Sequence, residues 1–231
     1  MPGQWRAGGE SGVPEGTSLH AAYAAGDRAY LAYGAAGLVI LDVADAANPA
    51  LVSRLDLAPP FNPVIAVHTA VPLIGRGLVA VNSEAIEEDC NEPLNFAGLV
   101  DVNVEASPRV VSMLPLPVPP AGAPYRDFCE RGGRFGPHNL HQDQGNPALL
   151  DRDDLLLLTW FNAGLRVYDV SHPRLPREIG SFVPPDPVER RGVLPAGRLV
   201  AQSEDVLADA RSYIYVTDKN HGLYVLRRTV D

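Results

Sequence analysis

GLVILDVADAANP (residues 37–49) decides how this chain folds. Leu38 to Val43 is a short run dominated by branched aliphatic residues. A glycine opens it and Asn48-Pro49 stops it, which is the composition of a strand bounded by turns. The same grammar returns as AGLRVYDVSHPRLP (163–176) and YIYVTDKNHGLYVLR (213–227). A shortened form, GLVDVN, stands at 98–103. The glycine-leucine steps begin at Gly37, Gly98, Gly164 and Gly222, a spacing of roughly sixty residues.

Working outward, each step sits inside a longer pattern. In the first unit His20 to Ala25 reads as an inner strand and Ala29 to Tyr33 as a second. Leu38 to Val43 is the third and Leu51 to Leu57 the fourth, ended by Pro59-Pro60. The second unit follows with Ile65–Val71, Leu78–Asn82, Leu99–Val104 and Val110–Leu116. The third has Leu140–Gln142, Leu155–Phe161, Leu165–Val170 and Glu178–Val183. The fourth has Asp205–Ala208, Tyr213–Thr217 and Leu223–Leu226, and then no fourth strand. A long repeat of three or four strands is the mark of a β-propeller blade. The expected fold class is therefore all-β, a β-propeller with blades over about 18–60, 61–120, 136–185 and 199–228, preceded by an irregular segment over 1–17. Four blades form either a small closed ring, the C-terminal part of a larger propeller, or a half that self-associates through an open blade edge.

GLVILDVADAANP, AGLRVYDVSHPRLP and the closing YIYVTDKNHGLYVLR resemble LVIVD repeats, in which a hydrophobic strand is followed by an Asp/Ser/Asn-Pro break. The resemblance spans about residues 18–228 and departs in the second unit. It implies a propeller, commonly with more repeats than four, and many members are surface or secreted proteins without assigned chemistry. A shorter stretch, GPHNLH (136–141), is similar to the His-x-x-His segment of selenium-binding proteins and methanethiol oxidases. Those are propellers that place metal-binding histidines on the top face.

A propeller gathers equivalent positions of its blades around one axis. The triplets that open the inner strands, Ser18-Leu19-His20, Ala66-Val67-His68, Asn139-Leu140-His141 and Ser203-Glu204-Asp205, then place three imidazoles and a carboxylate together. With His138 on the entering loop, the candidate metal ligands are His20, His68, His138, His141 and Asp205. Such a donor set suits a divalent transition metal: Zn, Fe, Cu or Mn. Glu84 and Glu204 are the candidate general bases, or partners that orient an imidazole. The competing reading gives each of these residues a structural hydrogen bond to a neighbouring turn, repeated for the sake of the fold. Two functions of different class follow. One is a scaffold binding a small molecule or a protein on its top face, with a metal site. The other is a metal-dependent oxidoreductase or hydrolase.

Composition narrows the partners. The net charge is -9 and no Lys/Arg run stands out, which argues against nucleic acid. The longest apolar runs are far too short for a transmembrane helix. MPGQWRAGGESGVPEG has no apolar core of a secretory signal, so the sequence as written is expected in the cytoplasm, or secreted or at the surface if more chain precedes it. Cys90 and Cys129, the two cysteines, lie in polar loops. They are free thiols, or they are bridged, and a bridge implies an oxidising compartment.

Overall fold

The computed structural model describes residues 4–6 and 17–227. Most of the segment expected to be irregular, 1–17, and the chain end beyond Arg227 fall outside these. The described residues carry fourteen strands in four antiparallel sheets, one short α-helix and one 3₁₀ turn. The chain divides into two compact units. Unit 1 is Met1–Glu84 with Pro93–Met113, and unit 2 is Ala85–Glu92 with Leu114–Asp231.

Unit 1 holds two four-stranded meanders. The first runs β1 (Ala21–Ala25), β2 (Arg28–Ala32), β3 (Leu38–Asp42), β4 (Ala50–Leu55). The second runs β5 (Thr69–Leu73), β6 (Leu78–Asn82), β7 (Ala97–Asp101), β8 (Arg109–Met113), with a 3₁₀ turn over Ile74–Arg76. Strands buried on both faces read as continuous apolar runs, and β3, β5 and β6 do so. The outermost strands, β4 and β8, are largely exposed. Ala32, Leu38 and Ile40 of the first sheet pack on Val79, Val81 and Val100 of the second. Phe61 and Phe96 join this core, stacked with ring centroids 4.0 Å apart. On the other face of the first sheet Trp5 meets Tyr33 edge-on at 5.8 Å.

Unit 2 holds two three-stranded sheets: β9 (Leu155–Trp160), β10 (Gly164–Asp169), β11 (Arg177–Phe182), and β12 (Ser203–Ala208), β13 (Tyr213–Asp218), β14 (Gly222–Arg227). The inner strand expected over 140–142 is reduced to an isolated bridge, Leu140 with Leu158 of β9. A four-residue helix, α1 (Phe128–Arg131), is capped by Asp127, whose carboxylate accepts the Glu130 N–H at 2.8 Å. A Cys90–Cys129 disulfide ties α1 to the acidic loop Ala85–Glu92. That loop is further anchored by Glu88, whose two carboxylate oxygens accept the Ala196 and Gly197 N–H groups.

The Asp of the repeated motif has a definite task. Asp42, Asp101 and Asp169 each end a third strand, and the Oδ1 of each accepts the N–H two residues on, at 2.8–2.9 Å. This Asx turn reverses the chain into the fourth strand. A bulge falls one to two residues before the Asp in all three sheets, between Ile40 and Leu41, Leu99 and Val100, and Val167 and Tyr168. In the fourth sheet Arg227 stands where the Asp would, and no fourth strand follows among the described residues. The glycines that open the third strands record the same difference. A Cβ on Gly37 (φ +85°) would sit 2.1 Å from the Leu55 carbonyl oxygen of the fourth strand. A Cβ on Gly222 (φ +96°) would meet nothing within 4 Å among the described residues.

Candidate metal centre

The entrance to each inner strand is fixed by backbone pairing. The His20 N–H donates to the Ala32 carbonyl at the end of β2, and the His68 N–H to the Asn82 carbonyl at the end of β6. Gly34 and Val67 exchange two backbone hydrogen bonds, each 3.1 Å. This bridge ties the exit of β2 to the entrance of β5 and brings the two histidines together. Their rings lie 3.9 Å apart between centroids, tilted by 40°. Glu84, two residues beyond β6, is held by its N–H on the Ile65 carbonyl at 3.3 Å.

The result is one cluster in unit 1. Glu84 Oε2 lies 3.6 Å from His68 Nε2 and 4.0 Å from His20 Nε2. One ligand atom from each of His20, His68 and Glu84 falls within 4.8 Å of the others. Bonds of about 2.0–2.2 Å to a four-coordinate ion would set such donors about 3.4 Å apart. The separations in this set are somewhat longer than that spacing. His68 is 3 % exposed and Glu84 8 %, while the His20 side chain is 41 % exposed. Two of the three side chains are thus buried and one faces solvent. Glu84 sits among the donors, where its carboxylate could serve as a ligand.

His68 Nδ1 lies 2.7 Å from Thr69 Oγ1, and Thr69 is 1 % exposed. Sequence reasoning passed over this threonine. Its only signal was adjacency to His68 at the start of a strand.

Unit 2 repeats the entrance geometry with other residues. The His138 N–H donates to the Thr159 carbonyl, and Phe161 pairs with Ser203 as Gly34 pairs with Val67. The hydrogen-bond register therefore makes His138, rather than His141, the counterpart of His20. It makes Glu204, rather than Asp205, the counterpart of His68. Here the pair takes another form. His138 Nδ1–H donates to the Glu204 carbonyl oxygen at 2.6 Å, and the ring stacks on buried Phe161 with centroids 4.6 Å apart. Burial pushes the His138 imidazole below its ordinary value. Glu204 Oε2 pairs with Lys219 Nζ at 2.9 Å, while Oε1 is buried with no hydrogen-bond partner among the described residues.

The remaining sequence candidates take part in backbone structure. His141 accepts the Ala208 N–H on Nδ1 at 3.2 Å and donates from Nε2 to the Leu150 carbonyl at 2.7 Å. Both ring nitrogens are engaged, which fixes the neutral Nε2–H tautomer. Asp205 is exposed and accepts the Val206 N–H. Arg131, 2 % exposed, pairs with Asp186 at 2.7 Å and donates to the Asn162 and Pro184 carbonyls.

Residues 23–56, the first sheet from β1 to β4, match the family model for the LVIVD repeat. No curated protein matches the chain. Among solved structures, the chain is similar to a hypothetical selenium-binding protein from Sulfolobus tokodaii, at 14 % identity and a TM-score of 0.46. That match covers 87 % of this chain and 57 % of the other, so the chain spans little more than half of its length. No helix among the described residues is long and apolar enough to cross a membrane.

Proposed function

We propose that this LVIVD-type scaffold binds a small-molecule or protein ligand through a divalent transition metal, Zn, Fe, Cu or Mn, held by His20, His68 and Glu84. The observation that carries this is the converging donor set: two imidazoles and one carboxylate within 4.8 Å, two of the three almost fully buried. Two neutral nitrogen donors and a carboxylate suit these ions. The carboxylate would also compensate part of the ion's charge. The reading takes residues 18–231 as one propeller domain, which the recurrence of one meander in four sheets supports.

A second reading, a metal-dependent oxidoreductase or hydrolase, draws on one further feature. Three protein donors would leave at least one position for water or substrate on a four-coordinate ion, and the His20 side chain is exposed. A metal there would acidify bound water or polarise a substrate. Glu204, one of the two candidate bases, is paired with Lys219. The Cys90–Cys129 bridge supports an oxidising compartment for the working protein.

The test is elemental analysis by ICP-MS of purified, tag-free protein, before and after reconstitution. Near one equivalent of a single transition metal is expected, and its loss in both His68→Ala and Glu84→Gln. No metal under either condition would overturn the proposal and return the two histidines to a structural role.

A further inference from the structure

We infer that Thr69 is the positioning residue of the metal centre, its hydroxyl holding the His68 ring so that Nε2 presents its lone pair to the ion. The inference rests on the metal reading above and adds a residue that no ligand search would find. An imidazole binds a metal through its unprotonated nitrogen, so a metal on Nε2 requires a proton on Nδ1. That N–H must find an acceptor, because His68 is 3 % exposed and water cannot serve it. Thr69 Oγ1, 2.7 Å from Nδ1 and itself buried, is the acceptor.

The choice of a hydroxyl has a consequence that a backbone carbonyl would not have. A hydroxyl can rotate to accept from Nδ1–H or to donate to bare Nδ1. With the ion bound it accepts. With the ion gone it can donate, and Nε2–H then points towards Glu84 Oε2, 3.6 Å away. Thr69 therefore satisfies either tautomer of the ring. His141 shows the opposite arrangement, in which the Leu150 carbonyl accepts from Nε2 and the tautomer is fixed. Thr69 is itself held in place as the first residue of β5, paired opposite Asn82 of β6.

A purely structural threonine would alter stability and leave metal affinity alone, and the experiment separates the two. Zinc affinity is measured by chelator competition for the wild type, Thr69→Val, Thr69→Ser and His68→Ala, with thermal melts alongside. Thr69→Val should weaken zinc binding about 10–100-fold, and Thr69→Ser should restore it to within about threefold. The nitrogen-15 spectrum of His68 in zinc-loaded wild type should show a protonated Nδ1 and a metal-bound Nε2. If the wild type takes up neither zinc nor, in parallel titrations, Fe, Cu or Mn, the metal reading itself fails. If the wild type binds and folded Thr69→Val binds equally tightly, the role of Thr69 alone fails. Should Thr69→Val not fold, the wild-type spectrum decides: a zinc-loaded His68 with its proton on Nε2 overturns the inference.

Discussion

Units 1 and 2 bring the same two backbone positions together and put different chemistry on them. In unit 1 the positions carry His20 and His68, with Glu84 between their Nε2 atoms. In unit 2 they carry His138 and Glu204, and the donors are already bound: His138 to a backbone carbonyl and Glu204 to Lys219. A repeat therefore fixes where a side chain stands and leaves its function to the neighbours. A second difference runs beside the first. Among the described residues the unit 1 sheets have four strands each and those of unit 2 have three. Unit 2 instead holds the disulfide, the capped helix α1 and the buried Arg131 network.

The largest test of that contrast removes the disulfide. Cys90 and Cys129 are separated by 39 positions, and both belong to unit 2. Closing such a loop contributes roughly 4 kcal/mol in the chain-entropy account. A Cys90→Ser/Cys129→Ser double variant should lose about that much in urea melts. Hydrogen exchange should rise in α1 and in the loop Ala85–Glu92 before it rises in β5 and β6. Zinc stoichiometry should stay at one per chain. Loss of zinc together with the bridge would break the contrast, because the site in unit 1 would then depend on the staple in unit 2.

Glycine substitutions probe the strand count. At Gly37 an alanine meets the Leu55 carbonyl at 2.1 Å as well as a positive φ, and a cost on the order of 3 kcal/mol is expected. At Gly222 only the φ strain applies, so Gly222→Ala should cost about 1 kcal/mol. Equal costs in chemical denaturation would mean that the position facing Gly222 is filled in solution as it is at Gly37.

Much of this was legible in the sequence. The strand over Leu78–Asn82 has the expected bounds, and the third strands of the first, third and fourth units lie within a residue of theirs, while that of the second starts at Ala97 and stops at Asp101 rather than Val104. Apolar runs closed by Asp and Pro signal their own limits. The inner strand of the third unit was overestimated because Gln142 leads directly into a turn, where Asp143 accepts the Gly145 N–H. The phase of the histidines was harder. His138 and His141 are three residues apart and both flank a strand entrance. Only the pairing register, His138 N–H to the Thr159 carbonyl, shows which one occupies the position of His20. Glu84 was visible as an acidic residue near the inner-strand end of its sheet. Its distance to two Nε2 atoms depends on a bridge between Gly34 and Val67 that no local pattern encodes.

The smallest expected effect is a pH dependence confined to unit 2. His138 is held below its ordinary value of 6.5, chiefly by burial. Lys219 adds to this, while Glu204 and Asp205 act in the opposite direction. The unfolded chain titrates near pH 6.5, so between that pH and the lower folded value it binds more protons than the folded chain. Stability from a neutral, buried His138 is therefore intact above about pH 6.5 and falls as the pH drops through the window below it, levelling off once the folded ring is protonated as well. His138→Gln keeps an N–H donor for the Glu204 carbonyl and has nothing to titrate. Urea melts at pH 7.5, 6 and 5 should show a shallower acid slope in this variant than in the wild type. Parallel slopes would mean that His138 gains a proton as readily folded as unfolded. Its imidazole would then be as open to solvent as that of His20, and the two entrances would differ less than their hydrogen bonds indicate.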